Sequence, residues 1–380
     1  MSYYSSEELE GQGVVLPEGP ACVHRSVPLD ALAPGAILHA GVRIEGERTI
    51  IGPACELGAL GPVFVKNSAL GRGASIARGS VEDAALLDGA SLGPDAHVRA
   101  GTLLEEGAST AHAVGLKQTI LFPFAALGSQ INFCDALLAG GRSRDDHSEV
   151  GSGFIHFNFT PFGKKGDKAT PSLFGDVPRG VLLDENRIFL GGAGGVVGPI
   201  RVGYGCILAA GSVFRRDYGE NVLVYGESLP PKQVQIDGKL VPGVAKRYRR
   251  SLAYMGQLRA LHAFYRIVRR PRATDPWTVR VLERASDCLD AGVAERARQL
   301  DRLFEGLPEP SESDRKLAEA WRKERIGWTE HRPLGDSETV AAVQSLPGSG
   351  ETHLNWVRGL DEKARTLITS WLEDVARIEG

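Results

Sequence analysis

The sequence contains no apolar run approaching the roughly 18 residues that a membrane-spanning helix needs, so no helical span is expected. Its first residues, MSYYSSEELEGQG, are polar and lack the apolar centre of a secretory leader. Cysteine is scarce: Cys22, Cys55, Cys134, Cys206 and Cys288 are scattered, odd in number and free of CxxC spacing. A disulfide framework is therefore not expected, and the thiols read as reduced, mostly buried groups of a cytoplasmic protein. Neither sign of charge dominates, with 44 Lys and Arg against 47 Asp and Glu, so overall charge points to no partner. Glycine, by contrast, is plentiful at 47 of 380 residues, which suits a fold with many tight corners.

An aliphatic residue recurs about every six positions. Ile51, Leu57 and Val63 form one register; Leu70 and Ile76 follow, then Leu86, Leu92, Val98 and Leu104, and finally Val196, Val202, Leu208 and Phe214. Glycine follows several of them (Gly52, Gly58, Gly71, Gly93, Gly203), and a small residue often stands four places on, as at Cys55, Ala90, Ala96, Thr102, Cys206 and Ser212. This period matches neither a 3.6-residue helix nor two-residue strand alternation. It predicts a mostly β solenoid in which each hexad is one flat edge of a triangular coil. The aliphatic residue points inward, the small residue fits near the corner, and glycine accepts a positive φ there.

Residues 1–20 read as an arm, and 21–225 as the solenoid with a long polar, Gly-rich insertion at 115–195. Pro230, Pro231 and Pro242 mark a linker over 226–242. Residues 243–380 form a C-terminal α-helical domain, with helical periodicity over 245–270, 276–305, 312–328 and 352–378. The insertion is where function is expected, because loops this long inside a compact domain are seldom idle.

Five segments carry a more specific resemblance: HVRAGTLLEEGAS (His97–Ser109), GLKQT (Gly115–Thr119), GSGFIHFNFTPFG (Gly151–Gly163), LGGAGGVVGPIRVG (Leu190–Gly203) and ILAAGSVFRRDYGEN (Ile207–Asn221). In order and spacing they resemble the acetyltransferase domain of the bifunctional N-acetylglucosamine-1-phosphate uridyltransferase/glucosamine-1-phosphate acetyltransferase family, over roughly residues 50–225. The resemblance implies a left-handed parallel β-helix of the hexapeptide-repeat acyltransferases, assembled as a homotrimer with sites between neighbours. The uridyltransferase half is not matched. The resemblance further makes Arg99, Lys117 and Lys168 ligands of a sugar phosphate, and matches Asn158–Phe159 to a pair that touches substrate and acetyl-CoA. Gly192 and Ala210 would line the acetyl-CoA channel. The chemistry is coherent, since an anionic sugar needs convergent cationic donors and Arg grips phosphate bidentately.

One departure stands out. Where the family has its catalytic His, this sequence reads GSQINFCDALLAG (Gly128–Gly140), with Asn132 and no His. His147 and His156 are the candidate bases nearby, since imidazole suits proton transfer near neutral pH. His147 stands among Asp145, Asp146 and Glu149, a set that also has the chemistry of a metal site, without diagnostic spacing. Gly243–Thr274 holds nine Lys and Arg and no acid. It is read as packing on the solenoid and pairing with Glu283, Asp287, Asp290 and Glu295 rather than binding nucleic acid. Two functions remain: an acyl-CoA-dependent acyltransferase acting on a phosphorylated or nucleotide-linked sugar, or a non-catalytic sugar-nucleotide-binding or scaffold protein lacking the base.

Overall fold

The computed structural model describes residues 2–160, 162, 167–168, 171–226, 229–233, 235, 241–330, 334–348 and 352–377. The chain up to Val224 winds into a left-handed parallel β-helix of about eleven turns, and helices from Val244 onward pack along it. The hexad residues line the interior: Ile51, Leu57, Leu70, Leu86, Leu104, Val196, Val202 and Leu208 are all at most 2% exposed. Coils have three sides. The first carries strands such as Val63–Lys66, Ala96–Val98, Ile155–Phe157 and Gly195–Val197; the third carries Glu56–Leu57, Ser75–Ile76 and Ser91–Leu92. The second runs through Ile50–Ile51, Ala69–Leu70, Ala85–Leu86 and Leu103–Leu104.

Two expectations need correction. Where the sequence suggests one insertion over 115–195, coils continue, with strands at Val114–Leu121, Ile131–Leu138, Glu149–Val150, Ile155–Phe157, Ser172–Phe174 and Phe189–Leu190. Among the described residues between them, Phe159–Thr160 pairs with Asp167–Lys168 in a separate two-stranded ladder. The first two of these strands turn a corner mid-strand, with Gln118 and Asp135 at φ 53° and 58°. Glycine after the aliphatic residue is also not chiefly a matter of φ. Gly58 has φ 89°, but at Gly52 and Gly93 a Cβ would lie 2.6 Å from the carbonyl oxygen of the next coil. Close stacking of coils, rather than a left-handed turn, excludes a side chain there.

The second side differs from the others in having apolar residues on both faces. Ala69, Ala85, Leu103, Ile120 and Leu137 point outward yet are buried, because helices cover them. Those helices are α1 (Val244–Phe264), α2 (Pro276–Glu305), α3 (Glu312–Glu330), α4 (Ser337–Gln344), α5 (His353–Arg358) and α6 (Glu362–Ala376). The single helix expected over 352–378 breaks because Asp361 accepts from the Ala364 N–H and caps a new one. A stripe of α2 at four-residue spacing runs along the corner between first and second sides. Arg280 donates to Asp30 O (2.8 Å), Arg284 to Asn67 O (3.0 Å), Cys288 Sγ lies 3.8 Å from Asp83 O, and Arg296 meets Asp135 (2.5 Å).

The basic segment pairs with solenoid carboxylates as well as with the expected helix acids: Arg250 with Asp217, Arg270 with Glu283 (3.1 Å), and Arg269 with Glu105 (3.3 Å) and Glu106. Arg269 ends a π-helical turn, Tyr265–Arg269, and the Tyr265 hydroxyl donates to Glu105 (2.5 Å). Two buried carboxylates thus share one guanidinium. Burial pushes the Glu105 pKa from 4.5 up to about 7, only partly opposed by Arg269. The folded state therefore binds this proton more tightly than the unfolded chain, and its contribution to stability is lost as pH rises from 4.5 through about 7. We expect Glu105→Gln, which mimics the protonated group, to be neutral or stabilising at pH 8 and to flatten this loss. Urea midpoints measured across that range check it; a Gln variant that lost stability at pH 8 would reverse the sign.

Candidate functional site

The outward positions of the first side form two columns. Pairing between coils aligns His97, Gly115, Asn132, Ile155 and Gly195 in one. In the other, Lys117 pairs with Cys134, and the Arg99 N–H donates to Leu116 O (3.0 Å), setting Arg99 beside Lys117. Arg99 and Lys117 are half-buried. Among the described residues neither has a carboxylate partner, and Arg99 Nε is buried with no hydrogen bond. Arg99 Nη2 lies 3.4 Å from Cys134 Sγ, which donates to Asn132 Oδ1 at 3.0 Å. Burial raises the Cys134 pKa, against the pull of Arg99, so the thiol stays protonated and acts as a donor. Within the first column Gly115 leaves open space, with only Ile131 O at 4.0 Å from where a Cβ would stand.

The second column continues to Phe157, and Asn158 stands one residue on, at the corner beneath Asp135, its Nδ2 donating to that carboxylate. Phe159 and Lys168 pair across a two-strand ladder, with the ammonium 5.6 Å from the ring centroid. The corner between third and first sides carries a further column. Hydrogen bonds from Ala113 N to Pro94 O (2.8 Å), Gln130 N to His112 O (3.0 Å), Gly153 N to Ser129 O (2.8 Å), Ala193 N to Ser152 O (2.7 Å) and Gly211 N to Gly192 O (2.9 Å) stack six residues. They are Pro94, His112, Ser129, Ser152, Gly192 and Ala210. Below Ser152 this edge carries only Gly192, where a Cβ would meet Ser152 O at 2.6 Å, and the methyl of Ala210. His112 Nδ1 lies 2.8 Å from Ser129 Oγ, and Ser129 N donates to Ser152 Oγ (3.0 Å).

The sequence candidates divide. Arg99, Lys117, Asn132 and Asn158 share the first side, with Phe159 and Lys168 on the adjoining hairpin and Gly192 and Ala210 on its far edge. His147 and His156 do not join them. His147 stands at the corner of second and third sides, its Nδ1 2.6 Å from Arg144 O, beside a cavity of about 460 Å³ with Asp146, Asn186 and Arg187. His156 points inward. Its Nδ1 donates to Cys134 O (2.6 Å), its Nε2 accepts from Ser172 Oγ (2.7 Å), and burial lowers its pKa. Both nitrogens are engaged beneath Phe133 and Phe174, away from the surface. His112 lies 17 residues before Ser129, a full coil ahead of Gly128–Gly140, so the sequence alone does not place it beside that segment.

Among the described residues no cluster of His, Cys, Asp or Glu has the geometry of a metal site, and no helix is long and apolar enough to cross a membrane. A cavity of about 490 Å³ between the coils and the helices is lined by Asp88, Glu106, Phe124, Arg144 and Trp356, and it lies away from the first side.

No family model matches the chain. It is 26% identical over 212 residues to a bifunctional protein GlmU of Thermotoga petrophila, covering 56% of this chain and 42% of that protein. Homologues of the chain thus include proteins named bifunctional GlmU. A GlmU of another Thermotoga species is 25% identical over 224 residues (59% and 44%), and one of Methylococcus capsulatus 27% over 190 residues (50% and 36%). The chain thus spans less than half the length of these GlmU proteins.

Proposed function

We propose that the protein is an acyltransferase using acetyl-CoA, or another acyl-CoA, with a phosphorylated or nucleotide-linked sugar as acceptor. The observation that carries this is the pair Arg99 and Lys117, two neighbouring cations that have no carboxylate partner among the described residues, one with a buried Nε still lacking a hydrogen bond. A half-buried guanidinium with one nitrogen buried and unbonded is suited to a bound dianion. From Val114 to Lys117 the strand spans about 10 Å at roughly 3.3 Å per residue, the reach of a sugar phosphate laid across the Gly115 trough.

In this reading the phosphate sits on Arg99 and Lys117, with Lys168 from the hairpin as a further cation, and Asn132 and Asn158 hold sugar hydroxyls. The edge at Gly192 and Ala210, which bears nothing larger than a methyl, accommodates with Phe159 the extended arm of the acyl-CoA, which supplies the activated thioester. The proton acceptor is His112 rather than His147 or His156. With Nδ1–H donated to Ser129, its Nε2 lone pair is free to take the proton from the attacking amine or hydroxyl.

Thermal melting against acetyl-CoA and a panel of sugar phosphates and nucleotide sugars tests the reading, because a ligand of the native state raises the midpoint. We expect at least one phosphorylated sugar to stabilise the protein, and Arg99→Ala to weaken its binding by about 10–100-fold, the loss of a charged hydrogen bond. Binding without transfer to any acceptor favours the non-catalytic sugar-nucleotide-binding protein. We also propose a homotrimer in the cytoplasm. Ile155, Phe157, Ile207 and Leu223, all between 39% and 54% exposed, lie on the first and third sides, where neighbours would cover them. A monomer in light scattering at micromolar concentration would remove that assembly.

A further inference from the structure

We propose that the C-terminal helical domain sets the acceptor specificity of the first side through Arg296, a positioning residue that fixes the Asn158 amide by way of Asp135. The inference rests on the reading of that side as the acceptor site. Asp135 stands at the corner of its coil with φ 58° and is 5% exposed. One carboxylate oxygen receives Arg296 from α2 at 2.5 Å; the other receives Asn158 Nδ2. An ionised carboxylate accepts and cannot donate, so the Asn158 NH₂ must face it. The amide carbonyl Oδ1 is then the end left for a ligand. Asn158 held this way selects a hydroxyl or N–H on the acceptor and discriminates against a group that only accepts.

The arrangement is costly for a mere docking contact. Arg296 is 3% exposed and its Nε has no partner, so a full desolvation penalty is incurred for one ion pair. Docking of α2 is already provided by Arg280 and Arg284 further along the stripe. The same helix also packs against Asp167–Lys168, the strand that pairs with Phe159. Tyr254 of α1 backs the corner by donating to Gln118 O at 3.4 Å. The C-terminal helical domain therefore holds both the amide and the hairpin from behind.

The test compares wild type with Arg296→Lys, Arg296→Met and the charge-neutral double variant Arg296→Met/Asp135→Asn, which avoids a stranded buried charge. Two readouts are taken: amide hydrogen exchange over Ile155–Thr160, which needs no ligand, and KM and kcat for the sugar phosphate identified by melting. We expect the double variant to melt cooperatively while exchange over Ile155–Thr160 rises by at least about 10-fold. KM for the acceptor should rise by about 10-fold, one hydrogen bond's worth, with kcat and acyl-CoA affinity within about 2-fold. Arg296→Lys should restore part of both. Unchanged exchange and KM in a folded double variant would overturn the proposal. If wild type binds no phosphorylated sugar, the acceptor reading itself fails, and the exchange data alone then decide whether Arg296 holds Asn158.

Discussion

Replacement of His112 by alanine is expected to lower the turnover of acyl transfer by about 10²–10⁴-fold while leaving the KM for the sugar close to its original value. The reasoning is geometric. His112 is an exposed imidazole in the same corner column as Gly192 and Ala210, and its Nδ1 already has a partner in Ser129 at 2.8 Å. The Asp95 carboxylate, kept below its usual pKa by Arg78, lies close enough to interact with it. Ser129→Ala removes only the orienting hydroxyl and should cost about 10-fold or less. His147→Ala, on another corner, should turn over normally. A His112 variant with unimpaired kcat, or a His147 variant that is dead, would send the search for the base elsewhere.

Arg269→Met should destabilise the fold by about 3–5 kcal/mol, the largest loss expected of any surface-remote change outside the coil interior. The guanidinium is 3% exposed and joins both Glu105 and Glu106, so its removal strands two buried acids. Removing the acids as well, in Arg269→Met with Glu105→Gln and Glu106→Gln, should recover most of the loss, since an uncharged set of similar volume avoids the desolvation penalty. Urea denaturation of the single and triple variants is the measurement. A triple variant as weak as the single one would mean that packing of the Arg269 stem, not charge, holds the helices down.

The hexads made the coil legible because inward position follows from spacing alone. The covered second side left a trace too, in the doubled apolar pairs Ile50–Ile51, Ala85–Leu86, Leu103–Leu104 and Leu137–Leu138, where the first residue faces outward beneath the helices and the second points in. The functional groupings were less accessible. Arg99 and Lys117 are 18 residues apart and meet only once coil length is known. Coil lengths vary with corner residues such as Gln118 and Asp135, so the register that joins His112 to Ser129, or turns His156 inward, cannot be counted from sequence. Asp135 and Arg296 are separated by 161 positions, and no local pattern links them.

A solenoid by itself unfolds like a zip, because each coil touches only its neighbours and its stability is a sum of nearest-neighbour terms. The helix Pro276–Glu305 changes that accounting. Its 30 residues reach about 45 Å and grip Asp30, Asn67, Asp83 and Asp135 in turn, coils of which only those of Asn67 and Asp83 are direct neighbours. Opening any one of those coils loosens the clasp on the rest. Fraying from one end is thereby turned into a transition that the whole length of the rod must share.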